Sequence, residues 1–143
     1  MHYKQIAEQP TTYVVVLEAG DELAAGLKEL ASELTLASSS FKAIGALSSV
    51  KLGWFNWKTK KYDTLVTLEE QLELVSLIGD IALKDGQHQV HAHVVVAKFD
   101  GTAHGGHLEE AYIRPTCELV LIESPQYLQK QIDPESGLAL IQL

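Results

Sequence analysis

Four of the six histidines fall between Val90 and Leu108, as His91-Ala92-His93 and then His104-Gly105-Gly106-His107. Residues two apart on a β-strand point to the same face, so His91 and His93 project side by side. Asp100-Gly101 is a turn signal that folds the chain back and can bring His107 beside them. Three neutral imidazoles meeting across a hairpin form an open site for a divalent metal, with zinc the best match. Water, a carboxylate or a neighbouring subunit would take the remaining position. Gly105 and Gly106 are read as a glycine turn, permissive of positive φ and close approach, that aims His107. His104 lies three residues before His107 and is left outside the ligand set. A second account stays open, in which the histidines hydrogen-bond across a sheet or a subunit interface.

Carboxylates near this stretch are Glu73, Asp80, Glu109, Glu110 and Glu118. Glu73 and Glu118 sit inside apolar runs, where a carboxylate needs a partner. They are the candidates to hold a metal-bound histidine in orientation. A water-facing position on an alternating strand is the other reading of each. No Cys-x-x-Cys, Gly-x-Ser-x-Gly or phosphate loop occurs. His104 and Glu118 are the best candidates for a general base, and none is evident.

The elements that must position these residues are mostly strands. Thr12–Leu17 is β-branched and apolar. Asp21 is the expected N-cap of a helix whose Leu23, Leu27, Leu30 and Leu34 share a face. Ser38-Ser39-Ser40 ends that region. Strands then follow at Phe41–Leu47, Val50–Trp57, Tyr62–Leu68 and Leu72–Leu83, the last with a possible bulge at Gly79. Asp85-Gly86 marks a hairpin into Gln89–Phe99. His104–Ile113 and Thr116–Glu123 are two more strands, Gln126–Gln131 a short helix, and Leu138–Leu143 a last strand. One helix against many hairpin-linked strands makes an α+β fold with a largely antiparallel, mixed sheet.

The 143 residues suit one domain, 1–143, with 46% hydrophobic and 21% charged residues. Cys117 is the single cysteine and reads as a buried thiol in a reducing compartment. No apolar leader or membrane-length run is visible, so a cytoplasmic protein is expected. The net charge is −8 and Arg114 is the only arginine. DNA binding draws on Lys and Arg to neutralise phosphates, so this balance argues against direct DNA binding.

The order of several short motifs resembles the plants-and-prokaryotes conserved domain, over nearly the whole chain. They are Glu18-x-Gly20-Asp21-Glu22-Leu23, Ala43-Ile44-Gly45-Ala46-Leu47, Glu73-Leu74-Val75-Ser76-Leu77-Ile78-Gly79, His91-x-His93, Gly105-Gly106-His107-Leu108, and Asp133 with Gly137-Leu138. The resemblance implies an α+β domain that assembles as a trimer, with metal ligands at His91, His93 and His107. The family carries a PD1-like DNA-binding label, and its plant members follow AT-hooks and associate with transcription factors. This chain has no Arg-Gly-Arg-Pro AT-hook. Where the plant pattern reads Gly-Arg-Phe-Glu-Ile-Leu, it has Glu70-Gln71-Leu72-Glu73-Leu74-Val75. Both departures count against a transcription-factor role. The expectation is a stand-alone trimeric metal- or ligand-binding module. A small metal-dependent enzyme at the same site and a DNA-associated regulator are the alternatives. Long apolar stretches such as Val90–Phe99, read as buried on both faces, also favour a homotrimer.

Overall fold

The structure, a computed structural model, describes residues 1–124 and 129–142. The elements run β1 (His2–Glu8), β2 (Thr11–Glu18), α1 (Leu23–Glu33), β3 (Ser38–Asn56) and β4 (Lys61–Leu68). They continue with β5 (Leu72–Lys84), β6 (Gln87–Ala97), β7 (Ala103–Glu123), β8 (Gln129–Ile132) and β9 (Ala139–Gln142). Among the described residues all strands join one sheet, and every pairing is antiparallel except a single parallel contact, Leu83 with Gln129. β3 pairs with β7, β7 with β6, β6 with β5, and β5 with β3 again. These four strands therefore close a ring around an apolar centre.

Helix α1 buries Leu23, Leu27, Leu30 and Ala31 against that core. Each such leucine contributes about 1.5–3 kcal/mol on leaving water. The N-cap is Glu22 rather than Asp21: its Oε2 accepts from Ala25 N at 2.6 Å, while its Oε1 accepts from Ala111 N at 3.1 Å. Asp21 instead accepts from Glu18 N at 2.9 Å, closing the turn before the helix. Glu22 wins because it reaches both the helix and β7.

Several expected breaks are not breaks. Ser48-Ser49 does not separate two strands; β3 runs through it for 19 residues, with register shifts at Gly45/Leu47 and Leu47/Ser49. The Ser38–Ser40 run opens β3, with Ser38 and Ser39 buried. β7 runs for 21 residues through Arg114-Pro115, and the polar start of the chain forms β1. Gly79 is no bulge, since its pairing with Ala92 is in register and the bulge falls between Leu74 and Ser76. Gly79 is there for close approach: a Cβ would stand 2.4 Å from the His91 carbonyl and 2.5 Å from the Phe41 ring. Of the helix expected at Gln126–Gln131, residues 126–128 lie outside the described residues. Gln129–Gln131 belong to β8, which pairs with β9.

Candidate metal centre

Two hairpins build the histidine face. Asp85 and Gly86 have φ of 52° and 74°, so both central residues of this two-residue loop are left-handed, as a type I′ turn requires. Counting outward from Lys84–Gln87 then pairs Asp80 with His91 and Ile78 with His93. The Asp100-Gly101 turn pairs Ala97 with Ala103 and so His93 with His107. The inner face of β6 carries the buried Ala92, Val94 and Val96, and the outer face carries His91, His93 and Val95. Val90–Phe99 is thus not buried on both faces in one chain: Val95 and Phe99 are exposed.

His91, His93 and His107 converge. Their ring centroids are 5.3 to 5.6 Å apart, and one ligand nitrogen from each lies within 4.8 Å of the others. Tetrahedral zinc with Zn–N of about 2.0–2.1 Å needs nitrogens closer than that bound. The Nδ1 of His107 is buried and has no hydrogen-bond partner. A buried nitrogen left this way costs about 1–3 kcal/mol unless an ion or ligand satisfies it. Burial, followed by repulsion from His91 and His93, lowers the His107 pKa to about 4. Burial and then His91 also push His93 below its ordinary value. Both imidazoles are held neutral near pH 7, the form that ligates a metal. Tyr62 stacks on His107 with centroids 4.1 Å apart.

The carboxylate at this site is Asp80. Its Oδ2 lies 3.5 Å from His91 Nδ1, and its Oδ1 lies 2.5 Å from the Nζ of the buried Lys130. Burial alone would raise the Asp80 pKa; the His91 contact and the Lys130 ion pair outweigh it and hold the carboxyl ionised. A carboxylate on Nδ1 keeps the proton there and leaves Nε2 free to ligate. Glu73 and Glu118 are not brought to the histidines. Both are exposed, Glu73 opposite Ala46 and Ala97, and Glu118 opposite Ile44 and Val16. Their apolar neighbours in sequence lie on the other face of the strand.

Gly105 and Gly106 form no turn but lie inside β7, and neither has positive φ. The close-approach half of the expectation holds for Gly106. A Cβ there would meet the Gly53 carbonyl at 3.0 Å and Leu52 Cβ at 3.2 Å. His104 pairs with the fully buried Val96, so it faces away from His107. Cys117 is buried, and burial pushes its thiol up to about 12, which makes it inert. No helix is long and apolar enough to cross a membrane among the described residues.

The same fold occurs in solved structures. A plant- and prokaryote-conserved protein from Pyrococcus horikoshii is 30% identical, with a TM-score of 0.86 over 99% of this chain and 95% of that one. A candidate DNA-binding protein from Bacteroides thetaiotaomicron is 30% identical, with a TM-score of 0.91 over 99% and 96%. A protein from Archaeoglobus fulgidus described as metal-containing is 28% identical, with a TM-score of 0.85 over 99% and 97%. Bifunctional protein GlmU from Synechococcus is 34% identical over 128 residues, 87% of this chain, but the chain spans only 19% of that protein's length. Residues 4–125 match the Plants and Prokaryotes Conserved (PCC) domain, and the chain belongs to that family.

Proposed function

We propose that this protein is a metal-binding module in which His91, His93 and His107 hold one divalent ion, zinc by preference, and leave one position for a small ligand. The observation that carries this is the convergence of three imidazoles, each with a nitrogen within 4.8 Å of the others, on a His107 ring whose buried Nδ1 has no partner. The metal-containing neighbour from Archaeoglobus fulgidus supports it. When bound, the ion supplies a Lewis-acid centre; Asp80 orients His91 and Tyr62 backs His107. We assign no reaction. Metal analysis of protein supplied with zinc tests the reading. One ion per chain in wild type and none in His93→Ala is expected; a metal-free wild type sinks it.

The proposed assembly is a homotrimer. On the outer face, Ile44, Val75 and Ile78 are 63%, 52% and 60% exposed and line one depression with Val120. A contiguous exposed apolar patch is a mark of a protein–protein contact surface. Ile78 pairs with His93, which puts the histidines at the rim of the proposed interface. Light scattering should give three chains for wild type and fewer for Ile44→Asp; a stable wild-type monomer at micromolar concentration overturns the assembly. Direct DNA binding is not proposed, because a chain of net charge −8 with one arginine lacks the positive balance that draws phosphates. Sub-micromolar, sequence-selective binding in an anisotropy titration would reverse that. A cytoplasmic setting is proposed on the single buried thiol.

A further inference from the structure

Beside the histidines lies a cavity of about 420 Å³, within the range of about 300–1,000 Å³ usual for small-molecule sites. His91 and His107 form part of its wall. Ala24, Ala25 and Val90, with Leu138 and Leu140, give it apolar sides. Two cations line it, Lys28 and Lys130. Lys130 is matched by Asp80, whereas Lys28 is exposed and has no carboxylate partner among the described residues. Three neutral imidazoles leave a divalent ion's charge intact, so the loaded pocket is net positive. We propose that it binds a small carboxylic acid with a short apolar body. Lys28 would pair with the carboxylate, the ion held by the histidines would supply a second positive centre, and the body would lie against Ala24, Ala25, Leu138 and Leu140. A monoanion balances the one unpaired lysine of the wall, and the arginine fork that grips carboxylate or phosphate bidentately is absent from it. Arg114, the only arginine, lines a different depression with Pro115 and Glu69. This inference rests on the metal reading for the carboxylate's partner, and on the cavity and Lys28 for its class.

The test is calorimetric titration of the zinc-supplied, full-length protein with hexanoate, hexanamide and inorganic phosphate, with metal content measured on the same samples. Hexanoate should bind and hexanamide should not. Lys28→Gln and Ala25→Leu should each weaken hexanoate by about tenfold, or 1.4 kcal/mol, with bound metal unchanged. Ala25 is exposed on the first turn of α1, so the larger side chain narrows the cavity without entering the core. Equal affinity for acid and amide, unchanged affinity in both variants, or tighter binding of phosphate than of hexanoate overturns the proposal. If metal analysis shows no zinc in wild type, the metal reading fails by that measurement alone. Hexanoate binding to the metal-free protein, weakened by Lys28→Gln, then still upholds the pocket, and its absence overturns it.

Discussion

His88 and His107 lie on neighbouring strands of one sheet and differ in what their nitrogens meet. The Nε2 of His88 donates to the Leu36 carbonyl at 2.6 Å, and its Nδ1 lies 3.3 Å from the Ser32 hydroxyl. That imidazole ties β6 to the end of α1, and both its nitrogens are engaged. The Nδ1 of His107 is buried and engaged by nothing. The contrast teaches that hydrogen-bond satisfaction, not residue type or burial, separates a structural histidine from one that waits for a ligand. Substitution should therefore split the two. His93→Ala or His107→Ala should abolish stoichiometric zinc while the fold survives on its core. His88→Ala should keep the zinc and lose about 1–2 kcal/mol in denaturant melts by stranding the Leu36 carbonyl. Zinc lost equally from His88→Ala would erase the distinction.

Asp80 is the next largest test, because it serves both the metal site and the fold. It braces His91 and neutralises a lysine whose side chain is only 3% exposed. Asp80→Asn leaves that ammonium unpaired, at a cost of about 3 kcal/mol or more. It should also weaken metal binding by about 10–100-fold through the loosened His91. Adding Lys130→Met should restore most of the stability and none of the metal affinity. Joint recovery of both would show that Asp80 acts on the metal only through the fold.

How far all this was legible depends on how local each signal is. The His-x-His pair and the return of His107 follow from strand period and the Asp-Gly turn. Helix α1 follows from its leucine spacing. Asp80 was within reach too: a two-residue turn at Asp85-Gly86 places residues 80 and 91 opposite each other by counting. The apolar neighbours of Glu73 and Glu118 point to these two carboxylates instead, but alternation sends those neighbours to the opposite face. Lys130 and the joining of each long strand across Ser48-Ser49 or Arg114-Pro115 carry no local signal. They come from long-range pairing, in which bulges keep a strand in the sheet through residues that elsewhere make turns.

Acid should sharpen the contrast in a smaller way. His107 and His93 have folded pKa values below the ordinary 6.5, about 4 for His107, because burial disfavours the charged imidazole. The unfolded chain therefore binds protons more readily. Stability of the metal-free protein should be complete above pH 6.5 and fall as pH drops toward 4. Both groups are part-exposed, so solvent screening keeps the effect modest. Bound zinc should steepen the loss, since protonation also releases the ion. His107→Leu should flatten the metal-free profile; an unchanged slope in melts between pH 7 and pH 4 would mean that other groups control it.

The smallest effect expected is at His104, which sequence proximity alone would place with His107. Three residues along a strand is an odd number, so the two side chains leave opposite faces of β7. The register agrees: His107 lies across from His93, while His104 lies across from Val96, whose side chain is fully buried. The His104 side chain has no hydrogen bond or ion pair among the described residues, and the residue is only partly buried. Its removal strands no partner and opens no sealed cavity. His104→Ala should therefore hold the same zinc as wild type and melt within about 0.5 kcal/mol of it. The measurement is the same pair of assays used for His93→Ala, run side by side. Zinc lost from His104→Ala would mean that β7 is one residue out of register at the site, and the ligand set would have to be redrawn around His104.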